Sequence, residues 1–85
     1  MILINYRIQD GEHEYGVWDY ETKYTEEDYK TGKVSDFNLL QETYGVDEDN
    51  LEEGTNMYWI GDSLVWVDRV RNITQEKLDI IREYV

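Results

Sequence analysis

The feature that most constrains the fold is the alternation of apolar and polar residues at the start of the chain. In residues 2–9, ILINYRIQ, one face carries Ile2, Ile4, Tyr6 and Ile8. A period of two with one apolar face is typical of a half-buried β-strand. Asp10-Gly11 then favours a hairpin turn, and residues 14–22 are rich in strand formers. The chain predicts an N-terminal antiparallel hairpin, in which Gly16 marks a bulge or a close backbone approach.

A second hairpin is predicted by the segment NMYWIGDSLVWVDRVRNI. Residues 57–60 and 64–70 flank Gly61-Asp62-Ser63, and Gly61-Asp62 suits a two-residue turn. Strict alternation puts Leu64, Trp66, Asp68 and Val70 on one face of the second strand. Val65, Val67 and Arg69 then lie on the other face. Because both faces are apolar where this strand begins, we expect it to be central in the sheet.

Helix start and stop signals fill the rest of the chain. Thr25 with Asp28 resembles a capping box for a short turn of helix near residues 25–30. Ser35 and Gly45 bracket a helix over about 35–44. Its predicted buried face consists of Phe37, Leu40, Gln41 and Tyr44. Thr74 caps a terminal helix whose predicted stripe is Leu78, Ile81 and Val85, with Ile80 and Tyr84 beside it.

These elements predict one domain over residues 1–85 with the order ββαββα. The expected fold class is α+β, a four-stranded, mostly antiparallel sheet packed against two helices, with the helices on one face. Eight Tyr, three Trp and one Phe give a short chain large side chains to bury.

The charge is the strongest compositional fact, at −12 for 85 residues. Residues 10–28 carry eight acids and one base, and residues 36–53 carry seven acids and no base. Such a field repels nucleic acids, anionic membranes and phosphate ligands, and it favours basic partners or cations. The absence of cysteine suits a reducing cytoplasm, and the N-terminus lacks the features of a signal peptide.

Catalytic motifs are missing from the sequence. There is no cysteine nucleophile, nucleophile elbow, phosphate-binding glycine loop or zinc-protease helix motif. The single histidine, His13, lies between Glu12 and Glu14, and we interpret this segment as a hairpin tip because no second imidazole could complete a metal site. The sequence therefore predicts a protein that is not an enzyme and has no cofactor.

Carboxylates interleaved with aromatic rings form the most suggestive segment. Carboxylates on a rigid face can take positions that phosphates would occupy, and aromatic rings supply interface area at low entropic cost. The predicted partner-binding residues are Glu14, Trp18, Asp19, Glu21, Tyr24, Glu26, Glu27 and Asp28. The same pattern also fits core rings beneath a solvated acidic surface that only keeps the protein soluble.

The second acidic stretch offers weak divalent-cation ligands, namely Asp47, Asp49, Glu52 and Glu53. The spacing fails the EF-hand pattern, which needs an oxygen ligand where Leu51 stands, glycine where Glu52 stands and glutamate where Tyr58 stands. Weak calcium or magnesium binding in this loop is the alternative to an interaction surface.

The opening strand–GEHEY–strand and the closing VDRVRNITQEKLDIIREYV resemble small uncharacterised acidic bacterial or phage-borne proteins of unknown function. The resemblance covers the two ends better than the middle and implies no activity and no catalytic residue. In size and charge the chain is also similar to phage anti-defence proteins, several of which mimic nucleic acid. The resulting expectation is a cytoplasmic, non-enzymatic interaction module, an inhibitor or nucleic-acid mimic that binds a basic protein surface, such as that of a nucleic-acid-binding protein. Homodimerisation is compatible with this expectation.

Overall fold

The computed structural model describes residues 1–83, and it confirms the α+β fold in the order ββαββα. The elements are β1 (Ile2–Asp10), β2 (His13–Glu21), α1 (Glu26–Lys30), α2 (Asp36–Tyr44), a 3-10 turn (Glu48–Asn50), β3 (Tyr58–Ile60), β4 (Ser63–Asn72) and α3 (Gln75–Glu83).

All strand pairs in the four-stranded sheet are antiparallel, and the strand order is β2-β1-β4-β3. The first strand therefore pairs with both β2 and β4, and the expectation that β4 is central is confirmed. Both predicted turns connect paired strands: Asp10 lies opposite His13, and Ile60 lies opposite Ser63. Gly11 and Gly61 both have a φ of 63°, a value that glycine adopts without strain.

A bulge in β4 overturns two predicted face assignments, those of Val70 and Arg69: Arg69 lies on the face of Leu64 and Trp66, not on that of Val65 and Val67. Asn5 pairs with Arg69 and Tyr6 pairs with Val67, so that Asp68 is the extra residue. Alternation restarts after the bulge, and Val70 pairs with Ile4 and packs against the core. The prediction that Val70 shares a face with Leu64 and Trp66 is therefore wrong, because strict alternation cannot anticipate an unpaired residue.

The core lies between one face of the sheet and the α1–α2 side of the molecule. The apolar face of β1 is almost completely buried, as the sequence predicts. It packs with Val34, Leu39, Leu40, Val46, Tyr58, Val65 and Val67. Burying one such side chain stabilises the fold by roughly 1.5–3 kcal/mol. In α2 the predicted buried face is partly wrong, because Leu39 is buried and Gln41 is exposed.

The predicted helix caps are present. Thr25 Oγ1 accepts a hydrogen bond from the Asp28 amide at 3.1 Å, and an Asp28 carboxylate oxygen accepts one from the Thr25 amide at 3.0 Å. Ser35 and Asn38 make the same reciprocal pair at the start of α2. Gly45 ends α2 with a φ of 69°. These contacts are local in sequence, which is why the sequence predicts them.

The third helix packs on the other face of the sheet, contrary to the expectation that the helices share one face. Leu78, Ile81 and Arg82 line a cavity with Leu3 and with Trp18, Asp19 and Tyr20. Leu78 is buried, whereas Ile80 and Ile81 are 52% and 37% exposed. Val85 and Tyr84, which complete the predicted stripe and its flank, lie outside the described residues. None of the helices within residues 1–83 is long and apolar enough to cross a membrane.

Candidate interaction surface

Strand β2 and helix α2 bring three carboxylates together at one edge of the sheet. Asp19 and Glu21 are alternate residues, and they pair with Ile4 and Ile2, whose side chains lie on the core face. Both therefore point to the side that carries α1 and α2. Glu42 is exposed on α2, and its carboxylate accepts a hydrogen bond from the Tyr24 hydroxyl at 3.1 Å. We call Asp19, Glu21 and Glu42 the acidic edge.

The pKa values of neighbouring groups show that the acidic edge is electrostatically coupled. Partial burial raises the pKa of Asp19, the charge of Glu21 raises it further, and the Thr43 hydroxyl lowers it. The hydrogen bond to Glu42 raises the pKa of Tyr24, and the charge of Glu21 contributes to the same shift. Lys23 is the nearby cation, with Nζ 3.9 Å from Glu42 Oε1. One lysine leaves the cluster with a net negative charge.

The acidic edge lies over an aromatic and hydroxyl network that ties the sheet to α2. The Tyr6 hydroxyl donates to the Leu39 carbonyl at 3.2 Å and lies 3.0 Å from Thr43 Oγ1. The ring of Tyr44 meets that of Tyr6 edge to face, with centroids 5.2 Å apart. Because Tyr6 is completely buried, this network holds α2, and Glu42 with it, in a fixed position relative to β2.

Two of the predicted partner-binding residues lie on the opposite face of the sheet. Trp18 pairs with Asn5, and Glu14 pairs with Gln9, so both point away from α1 and α2. Glu14 Oε1 is 3.5 Å from Arg7 Nε. The sequence treats residues 14–28 as one surface, but the alternation of β2 divides them between two faces, with Asp19, Glu21 and Tyr24 on the helical side.

Three further predicted residues lie on α1, where two of them already have structural partners. Glu26 contacts Lys30 Nζ at 3.2 Å and accepts a hydrogen bond from the Asn72 amide, and these contacts lower its pKa. Asp28 completes the capping box with Thr25. Glu27 is exposed. Charge reversal of all three would therefore disturb α1 as well as the surface, and Glu27 is the cleaner single substitution.

The 47–53 loop is organised by hydrogen bonds within the chain. The Asp47 amide donates to Asn50 Oδ1 at 2.7 Å, and Glu52 accepts from the Trp59 indole. Over residues 1–83, no group of three or more His, Cys, Asp or Glu side chains is arranged to hold a metal ion. The four candidate ligands Asp47, Asp49, Glu52 and Glu53 therefore do not converge. Glu12 lies in the first turn and His13 opens β2, both exposed, as a hairpin tip requires.

A cavity of about 450 Å³ lies between α1 and the end of β4, lined by Thr25, Glu26, Glu27, Lys30 and Asn72. Two of its charged groups, Glu26 and Lys30, are engaged with one another, and the contacts of Glu26 with Lys30 and the Asn72 amide lower the pKa of the Glu26 carboxyl.

Sequence reasoning missed Glu42, Thr43 and Tyr44 as parts of the surface. Glu42 contacts Tyr24, 18 residues away, and Thr43 and Tyr44 contact Tyr6 in β1, 37 and 38 residues away. No local pattern encodes such contacts. Comparison of the chain with protein-family models, with curated proteins and with solved structures found no match. The function of this chain must therefore be inferred from its own surface.

Proposed function

We propose that this chain is a non-enzymatic interaction module whose acidic edge binds a basic protein surface. The observation that carries the proposal is the convergence of Asp19, Glu21 and Glu42 from two elements. Lys23 supplies one positive charge against three carboxylates, so the edge stays anionic and would attract a cationic partner.

The surrounding charge supports the same partner class. Residues 22–53, which form the helical side, carry ten acids and three lysines. A field of one sign increases the rate at which an oppositely charged partner is captured. Tyr24 and Tyr44 are half-buried beside the carboxylates and add rigid contact area. A nucleic-acid-binding protein is the natural target for such a surface, and the chain would then act as an inhibitor that takes the place of the phosphates. We assign this binding to the cytoplasm, where a chain without cysteine is unaffected by reducing conditions.

The test is a capture experiment with three matched proteins. The wild type, an edge variant (D19N/E21Q/E42Q) and a control variant (E12Q/E53Q/D62N) are immobilised and exposed to lysate of the source organism. Both variants lose three negative charges, and the amides keep the hydrogen-bond acceptors of the edge. The control residues are exposed and lie in the hairpin turns and the 47–56 loop.

We expect a basic protein to be retained by the wild type and the control, to be lost from the edge variant, and to elute as salt rises. If that protein binds DNA or RNA, an excess of nucleic acid should displace it. Identical retention by all three proteins, or retention of no basic protein by the wild type, would contradict the proposal.

A further inference from the structure

The sheet face opposite α1 and α2 has a composition unlike the rest of the molecule. The strand register puts all three tryptophans on it, Trp18 from β2, Trp59 from β3 and Trp66 from β4. Trp18 is 54% exposed and Trp59 is 39% exposed. Helix α3, as far as the structure describes it, packs over the end near Leu3 and Tyr20 and borders Trp18, which lines a cavity with Leu78 and Ile81. We call the uncovered part, bounded by Trp18, Trp59, Trp66 and Leu64, the open face.

The arginines lie on this same side. Arg7 pairs in register with Trp66, and Arg69 pairs with Asn5. Arg71 pairs with Leu3 at the end that α3 covers, and the guanidinium of Arg82 in α3 lies 4.5 Å from the ring centre of Tyr20. These four are all the arginines of the chain. Arg69 and Arg71 are exposed. On the strands of this face, Arg7, Arg69 and Arg71 stand against the carboxylates of Glu14 and Glu52. The helical side is more strongly anionic, since residues 22–46 carry five acids and three lysines and the acidic edge adds Asp19 and Glu21.

Gly16 keeps the centre of the open face flat. A Cβ placed there would lie 3.2 Å from Asn5 Nδ2 and 3.3 Å from an Arg7 guanidinium nitrogen. The missing side chain lets Arg7 extend across β2 towards Glu14. The sequence predicts a bulge or a close backbone approach at Gly16. In the structure the side chains of Asn5 and Arg7 come close to Gly16, and the β1–β2 register has no bulge there. The result is a flat aromatic and cationic surface.

We propose that the open face docks on the acidic helical side of a second copy of this chain, so that copies associate head to tail. The two sides are complementary in charge. The Cα framework measures 37 Å × 30 Å × 17 Å, so the broad sides can supply the roughly 800 Å² per partner that a stable interface needs. Face-to-face pairing about a two-fold axis would instead bring Arg69 and Arg71 of both copies together.

The open face suits a protein better than a nucleic acid. Glu14 pairs with Arg7, and Glu52 binds the indole of Trp59. Arg69 and Arg71 are then the open-face arginines without an ion pair among the described residues, too few cations to follow a run of phosphates. Arg82 covers one side of the Tyr20 ring, which removes one stacking surface.

The test measures molar mass by sedimentation equilibrium at about 20 mM and about 500 mM NaCl, since salt screens charge complementarity. At low salt we expect the mass of the wild type to rise with concentration beyond twice the monomer value of 10.3 kDa, because a head-to-tail contact leaves both ends of the complex free. At high salt the monomer should predominate. A monomer at every concentration, or a dimer that does not grow, overturns the proposal.

Mixing two variants tests the orientation. R69Q/R71Q removes charge from the open face, and D19N/E21Q/E42Q removes it from the acidic edge, so each protein alone should be monomeric. Their mixture should form a 1:1 complex that grows no further, because each copy keeps one intact side. K30Q/K33Q removes the same amount of charge as R69Q/R71Q but makes the helical side more acidic, so it should assemble at least as strongly as the wild type. An edge variant that still associates by itself overturns the proposal.

Two further measurements separate the alternatives. Trp18→Ser should weaken association without changing the charge, and unchanged association contradicts the role of the open face. If the wild type stays monomeric but its tryptophan fluorescence is quenched by a 15-nucleotide oligothymidine, the open face binds nucleic acid and the proposal is overturned. Self-association uses the same acidic edge as the proposed function, so the two proposals need separate outcomes. A chain that stays monomeric but still retains a basic protein in the capture experiment overturns the self-association and leaves the proposed function standing.

Discussion

At the scale of single residues, Tyr6 links the two layers of the molecule. Its ring is completely buried in the sheet, while its hydroxyl donates to the Leu39 carbonyl of α2. Burial raises the pKa of Tyr6 to about 12 from 10.0. The unfolded chain therefore releases this proton more readily than the folded one. Tyr6 favours the fold fully below pH 10, and this contribution is lost as pH rises through 12.

Tyr6→Phe should show both effects. At pH 8 the lost hydrogen bond should lower the free energy of unfolding by about 1 kcal/mol. Between pH 10 and 12 the variant should lose less stability than the wild type, because one of the titrating hydroxyls is gone. Urea denaturation across this pH range measures both. Tyr15→Phe, at an exposed position, is the control and should change neither. If Tyr6→Phe lost as much stability as the wild type between pH 10 and 12, Tyr6 would be excluded as the titrating group.

At neutral pH the ionised Asp19 lowers the stability of the fold, whereas Tyr6 raises it. Burial raises its pKa above 3.8, so the ionised form disfavours the folded state above the shifted pKa, and the effect disappears below the unfolded value. Asp19→Asn should therefore stabilise the protein at pH 7 and have little effect at pH 3. The gain should stay well below the roughly 1.4 kcal/mol of one pKa unit, since solvent screens a half-exposed carboxylate. Thermal denaturation at both pH values measures it. A loss of stability at pH 7 would show that the charge of Asp19 is favourable in the fold.

At the scale of secondary structure, the bulge in β4 sets which side chains face the core. Asp68 is the unpaired residue between Val67 and Arg69. Deleting Asp68 should keep Val67 and Val70 on the core face, and the free energy of unfolding should stay within about 1 kcal/mol of the wild type.

Deleting Trp66 should be far more damaging, because one end of β4 must then reverse its faces. We expect a loss of about 3 kcal/mol or more, the effect of exposing one or two buried apolar side chains. Trp66→Ala shows how much of this comes from losing the indole alone. Equal stability of the two deletion variants in urea would contradict the observed register.

Among the secondary-structure elements, the features that the sequence predicts are those that depend on contacts within a few residues. Thr25 with Asp28, Ser35, Gly45 and the Gly61-Asp62 turn act on backbone groups a few residues away, so the sequence specifies them directly. The bulge at Asp68 and the placement of α3 opposite α1 and α2 depend on which strands pair. The contact of Asp19 with Thr43 depends on the docking of α2. Such distant contacts leave no periodic signal in a single sequence.

At the scale of the whole molecule, the carboxylates repel one another across the helical side. Salt screens this repulsion, so the free energy of unfolding in urea should rise between about 20 mM and 200 mM NaCl. The edge variant D19N/E21Q/E42Q should show a smaller rise than the control variant E12Q/E53Q/D62N, since its lost charges are closer together. Equal salt responses in the two variants would indicate that the net charge matters and its position does not.

The strand order also has a consequence for how the protein is made. The most buried strand, β1, is translated first, yet one of its two neighbours is β4, whose Asn72 pairs with Ile2. At about 5–20 residues per second, several seconds separate the two strands as they leave the ribosome. During that interval β1 has only β2 beside it, and its isoleucines have no core to enter. The nascent hairpin therefore exposes apolar side chains that a chaperone can bind, and the sheet closes only after β4 has left the ribosome.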